Sequence, residues 1–119
     1  MSRSQTSASS PGRFEVLLTR DAELDLEEFH AWLSEASSAP AADRPLTEMT
    51  QAMERLARFP NRGSVPRELL ELGVQQYRQI LVKPWRLVYQ VQDQRVIVML
   101  IADTRRDLTS LLMARLLRG

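Results

Sequence analysis

Residues 85–103, WRLVYQVQDQRVIVMLIAD, are where the chain commits to a sheet. Two runs rich in β-branched and aromatic residues, 86–91 and 96–102, flank Gln92-Asp93-Gln94 and read as a β-hairpin. The second run, VIVMLI, is apolar without alternation, as expected of a central strand covered on one face and partly on the other. Upstream, residues 74–82 after Gly73 form a third strand candidate. Downstream, 107–117 (DLTSLLMARLL) reads as a short helix with Asp107 at its start.

The first half supplies a strand and two helices. Phe14, Val16 and Leu18 alternate with Glu15, Leu17 and Thr19, the period of a strand buried on one face. Thr19 is placed to cap a helix whose first turn carries Asp21 and Glu23. Ala22, Leu26, Phe29 and Leu33 make its apolar stripe, which runs to about Ala36. After the connector SSAPAA (37–42), Asp43 and Pro45 mark a second helix start. Leu46, Met49, Met53 and Leu56 repeat the stripe until Phe59-Pro60 ends it. Two such helices form a hairpin that lays its apolar side on a sheet. Residues 61–66 are turn chemistry, and 67–72 fit a loop or a short helical turn equally. The expected architecture is α+β: an N-terminal strand, a helical hairpin packed on an antiparallel sheet of about four strands, and a short C-terminal helix.

Composition narrows the chemistry. The 119 residues, 44% hydrophobic, suit one domain, expected over 13–119 behind a flexible Ser-rich tail at 1–12. Cys is absent and His30 is the sole histidine, so thiolate chemistry, disulfides and Cys/His metal sites are excluded. No metal or cofactor is expected. No run approaches the ~20 apolar residues of a membrane span, and the expected location is the cytoplasm. Net charge is +1, but residues 1–59 hold six Arg against ten acids, whereas 60–119 hold nine Arg and Lys83 against five. The basic half is therefore the expected binding half, and Arg suits bidentate contact with carboxylate or phosphate.

Four strings in order resemble the RelE/ParE toxin superfamily over residues 14–117. They are Leu56 with Phe59-Pro60-Asn61-Arg62-Gly63; Arg67-Glu68-Leu69; Trp85-Arg86-Leu87-Val88-Tyr89-Gln90-Val91; and Ala102-Asp103-Thr104-Arg105-Arg106-Asp107. The resemblance implies a toxin of a type II toxin-antitoxin system. One branch cleaves mRNA on the ribosome; the other poisons DNA gyrase by contact. Arg86 and Arg106 match catalytic arginines of the nuclease branch, and Arg78 sits near one of its strand lysines. Where that branch carries a terminal tyrosine this chain has Leu112. Arginine holds charge but moves no proton at working pH, so binding is favoured over turnover. The expected target-binding residues are Arg78, Arg86, Arg105, Arg106 and Trp85. As a nuclease, the alternative, the chain would use Arg78, Arg86 and Arg106.

Each residue also has a plainer reading. One of Arg105 and Arg106 can pair with Asp103 or Asp107 and shape the turn. Trp85 can be a rim residue over the core, and Tyr77 and Tyr89 can be sheet-packing residues. Arg78 and Arg86 form a basic strip only if both face away from the helices. The partners implied are a cognate antitoxin and DNA gyrase, or ribosome and mRNA in the alternative; operator DNA would be met only through the antitoxin. A third reading is a member that binds its antitoxin without toxicity.

Overall fold

The computed structural model describes residues 13–36 and 39–118; the expected tail at 1–12 and Ser37-Ser38 of the expected connector lie outside the described residues. The elements are β1 (Glu15–Leu18), α1 (Arg20–Ala36), α2 (Ala39–Leu56), α3 (Arg67–Leu70), β2 (Tyr77–Val82), β3 (Trp85–Gln92), β4 (Arg95–Asp103) and α4 (Leu108–Arg118). They build one four-stranded sheet in the order β1-β4-β3-β2. The hairpin of β3 and β4 turns through Asp93, at φ 55°, a conformation that Asp tolerates better than most residues.

β2, β3 and β4 are antiparallel, as expected, whereas β1 joins β4 in parallel, with Glu15 opposite Arg95 and Leu18 opposite Val98. β4 is flanked on one side by its own hairpin partner. Its other edge is taken by a strand from the far end of the chain, and a connection that long fits either direction.

Both faces of the sheet are covered. Phe29 and Leu33 of α1 with Met49, Ala52 and Leu56 of α2 pack on Leu87, Tyr89, Val96, Val98 and Ile101. On the other face, Leu69 of α3 with Leu108 and Leu112 of α4 pack on Tyr77, Val88, Met99, Leu100 and Ala102. The missing alternation in VIVMLI thus has two causes. One is burial on both faces. The other is a bulge: Val88 pairs with Leu100 but Tyr89 with Val98, so Met99 is an extra residue and shares a face with Leu100.

Thr19 caps α1 as expected, its hydroxyl accepting from the Ala22 N–H at 3.0 Å. Asp107 caps α4, accepting from the Ser110 N–H at 3.2 Å and its hydroxyl at 2.9 Å. α2 begins before the expected Asp43–Pro45 start and carries Pro45 inside. An alanine-rich first turn favours the helix enough to tolerate the one N–H that proline withdraws. β2 begins three residues later than expected, because Gly73 and Val74 donate back to Leu70 and Leu69 and close the α3 turn.

β1 covers the edge of β4 only as far as Val98, and side chains continue where the strand stops. Asp25 of α1 accepts from the Ile101 N–H at 3.0 Å. Arg115 of α4 donates to the Met99 carbonyl at 3.2 Å and, through both terminal nitrogens, to Asp25 at 2.9 Å each. This nearly buried pair ties α1, β4 and α4 together across the exposed end of the sheet.

Candidate functional site

Arg86 is buried, at 6% exposure, on the α3/α4 face of β3. Its guanidinium donates to Gln79 Oε1 at 3.1 Å, Glu68 Oε2 at 2.9 Å and the Arg106 carbonyl at 3.3 Å. One side chain therefore joins the α3 turn, the edge strand and the loop that enters α4. The hydrogen bond from Arg86 holds the Glu68 carboxyl below its ordinary range, so Glu68 is ionised at neutral pH. Glu68 lies in the Arg67-Glu68-Leu69 string that the sequence singled out, but its charge partner is visible only once α3 sits over β3.

The two arginines of the following turn divide the alternatives set out from the sequence. Arg105 pairs with Asp103 in a bidentate contact, Nε to Oδ1 at 3.0 Å and Nη2 to Oδ2 at 2.9 Å. That contact, first of all, pulls the Asp103 carboxyl down to about 2. Arg105 is the turn-shaping member. Arg106 is exposed, and its guanidinium makes no ion pair among the described residues. Its backbone is fixed by the Arg86 hydrogen bond and by its own N–H, which donates to the Asp103 carbonyl at 3.0 Å.

Arg78 does not join them. In β2, Ile80 and Val82 pack under the helical hairpin, which puts Arg78 on that same face, whereas Arg86 lies on the opposite one. The conditional basic strip of Arg78 with Arg86 is therefore not formed. Arg78 donates to the Gly63 carbonyl at 2.6 Å. The Tyr89 hydroxyl accepts from the Gly63 N–H at 3.1 Å and donates to the Pro60 carbonyl at 2.6 Å. A Cβ at Gly63 would sit 2.6 Å from the Gln79 carbonyl oxygen and 2.8 Å from the Tyr89 hydroxyl, so only glycine fits. Trp85 is half-buried on the hairpin face, edge-on to Phe29 at 4.9 Å and tilted against Trp32 at 5.6 Å. It is a rim residue over the core.

The arrangement holds charge and offers little means of moving a proton. Tyr89 is fully buried on the other face, with its hydroxyl committed and its pKa raised by burial. Tyr77 shares the Arg86 face but pairs with Gln90, four residues along β3 from Arg86, and burial raises its pKa as well. Leu112 is buried in the α4 core. Among the described residues no group of three or more Asp, Glu or His side chains could hold a metal ion, and no helix is long and apolar enough to cross a membrane.

Sequence reasoning missed a second cationic region. Arg55 at the end of α2, Arg62 in the following turn and Lys83 after β2 are all exposed and make no ion pair among the described residues. They line a groove of about 310 Å³ between α2 and β2.

Known proteins share this architecture. The solved chromosomal ParDE TA system from P. aeruginosa has a chain that superposes with a TM-score of 0.62 at 15% identity, covering 77% of this chain and 97% of that one. The toxin-antitoxin complex RelBE2 from Mycobacterium tuberculosis gives a TM-score of 0.54 at 21% identity, covering 79% and 94%. At these identities the likeness is one of fold. In sequence, Toxin ParE3 of Caulobacter vibrioides is 28% identical over 95 residues, 80% of this chain and 91% of the relative. The family model described as "ParE toxin of type II toxin-antitoxin system, parDE" matches residues 16–108, from β1 through the Arg105-Arg106 turn to the first residue of α4. With the sheet, the helical hairpin and the arginine-bearing turn all inside the matched span, the chain belongs to the ParE family of type II toxin-antitoxin toxins.

Proposed function

We propose that this toxin arrests growth by binding DNA gyrase and that a cognate antitoxin silences it in the cytoplasm. The observation that carries the reading is the Arg106 turn: a cation with no ion pair among the described residues, presented from a backbone locked by buried Arg86, with Leu112 buried in the core at the position expected of the nuclease branch's tyrosine. Such a site recognises an acidic or phosphate-bearing surface without transforming it. Arg106 is the contact, Arg105 and Asp103 set the turn, and Arg86 supports it from beneath. Arg78 and Trp85 act through the scaffold. The antitoxin partner is supported by the solved proteins of like fold, a ParDE toxin-antitoxin system and a RelBE2 toxin-antitoxin complex. Operator DNA is then met through the antitoxin.

The test is supercoiling by purified gyrase. Saturating chain inhibits it, and Arg106→Glu weakens inhibition at least tenfold while leaving the melting temperature unchanged. Normal supercoiling at saturating wild-type chain refutes the proposal.

One observation favours a second reading, ribosome-dependent mRNA cleavage. Glu68, an ionised carboxylate that is 40% exposed, contacts the Arg86 guanidinium directly and is placed to accept a proton beside it. Cuts at ribosomal A-site codons that disappear in Glu68→Gln would establish that reading in place of the first.

A further inference from the structure

Two tryptophans stand at the same end of the sheet as the arginine turn. α1 follows β4: the Thr19 N–H donates to the Val98 carbonyl at 3.1 Å, and Asp25 accepts from the Ile101 N–H. Trp32 stands roughly 10 Å beyond Asp25 along the helix. β4 runs only about 7 Å further, from Ile101 to its last residue, Asp103, so Trp32 overhangs the end of the strand. Trp85 pairs with Asp103 and fills the space between, its ring 5.6 Å from that of Trp32. Pro84 is tied to the turn itself, its carbonyl accepting from the Thr104 N–H at 2.8 Å. Trp32, Pro84, Arg105 and Arg106 are all exposed at this end.

What holds Trp32 prepares it for a partner. The ring is 42% exposed, and behind it Trp85 rests edge-on against buried Phe29. No hydrogen bond fixes the Trp85 indole, whose buried Nε1 has no partner among the described residues, so the stacked rings set one another's place. A large ring already held gives up little freedom on binding, and Trp and Arg are the side chains that dominate interface energies. Charge divides this surface in two. Arg106 makes no ion pair among the described residues, whereas Glu28 and Glu35 lie exposed one helical turn to either side of Trp32. An acidic group is therefore drawn to the turn and repelled from the tryptophan, which leaves an uncharged, apolar recess as the fit for Trp32.

We infer that Trp32, backed by Trp85, is a second anchor for the gyrase surface, entering an apolar recess beside the acidic patch that meets Arg106. The inference rests on the proposed gyrase reading and adds the apolar half of that contact. The two halves respond differently to salt: an exposed charge contact is screened, and the burial of a ring is not.

The test measures binding of the full chain to immobilised gyrase, beside inhibition of supercoiling, at low and high potassium chloride. Trp32→Ala should weaken both at least tenfold at either salt concentration, whereas the loss in Arg106→Glu should shrink as salt rises. Trp32→Phe should recover most of the affinity. Leu24→Ala, equally exposed at 42% near the other end of α1, should bind as the wild type does. Should Trp32→Ala fail to fold, Trp32→Arg keeps an aliphatic stem over Trp85 but puts a charge where the recess is apolar, and it should lose at least tenfold as well. Binding by Trp32→Ala equal to that of the wild type, a loss confined to low salt, or an equal loss in Leu24→Ala would each overturn the anchor while leaving the gyrase reading with Arg106. A Trp32→Ala chain that inhibits gyrase fully yet escapes its antitoxin would assign the ring to that partner and overturn the inference too. A wild-type chain that does not bind gyrase refutes the gyrase reading, and the anchor with it.

Discussion

Removing the Asp25 carboxylate tests how the last helix is held. Asp25 and Arg115 are 9% and 16% exposed at their side chains, joined by two 2.9 Å contacts. Asp25→Ala strands the guanidinium and leaves the Ile101 N–H without its acceptor. Breaking a buried pair from one side costs about 3–5 kcal/mol. The lower end, about 3, applies here, because Asp21 remains 3.8 Å from the Arg115 Nε and some solvent reaches the pair. At roughly 4 °C per kcal/mol for a domain of this size, the melting temperature should fall by about 12 °C. Replacing both residues with apolar ones, Asp25→Leu/Arg115→Met, removes the stranded charge. What remains is the Ile101 N–H without its acceptor and the Met99 C=O with only the Thr19 hydroxyl at 3.5 Å, at about 1–3 kcal/mol. The double variant should therefore be no less stable than Asp25→Ala. Urea denaturation followed by circular dichroism, with unchanged m-values, measures each cost. A loss below about 1 kcal/mol in Asp25→Ala, or a double variant whose loss equals the sum of the single losses, would show that the pair does not act as a unit.

Tyr89→Phe withdraws a donor from the Pro60 carbonyl and an acceptor from the Gly63 N–H, and should cost about 1–3 kcal/mol by urea melts without altering the sheet's circular dichroism. Gly63→Ala should cost at least about 1 kcal/mol, because the methyl group meets a backbone oxygen and a locked hydroxyl, neither able to yield. Glu68 has a depressed pKa, so its contribution to stability is fully present above the ordinary value of 4.5 and is lost as pH falls through its lower folded value. Urea midpoints for Glu68→Gln should accordingly fall less than those of the wild type across that acid window. Trp85→Phe should leave the fold intact while removing the indole fluorescence quenched or shifted by Phe29 and Trp32, and urea melts should report a loss near 1 kcal/mol, about that of one aromatic contact.

Much of this fold is legible in local chemistry. Thr19 as a cap, the stripe of Ala22, Phe29 and Leu33, and the hairpin about Asp93 need only neighbours within one element. What escapes depends on how elements meet. Whether Arg78 and Arg86 share a face turns on strand phase, and they do not. The bulge at Met99 is hidden because the residues around it are apolar on both faces. The direction of β1 is set by which edge of β4 stands open, a question settled only after the β3/β4 hairpin exists. At the candidate site, Arg86 and Arg106 are legible in the sequence. Glu68, Arg55, Arg62 and Lys83 are not, since each gains meaning only from a residue far along the chain.

The Gly63 peptide is gripped from both ends, its carbonyl by Arg78 and its N–H by Tyr89, side chains on paired neighbouring strands. The position of the segment after α2 is thereby written into β2 and β3 and owes little to the segment's own residues. Drift at Asn61, Arg62 or Ser64 can retune what that surface meets without displacing it, so distant kin should be traceable by a glycine, an arginine and a tyrosine kept in step long after the residues around that glycine have diverged.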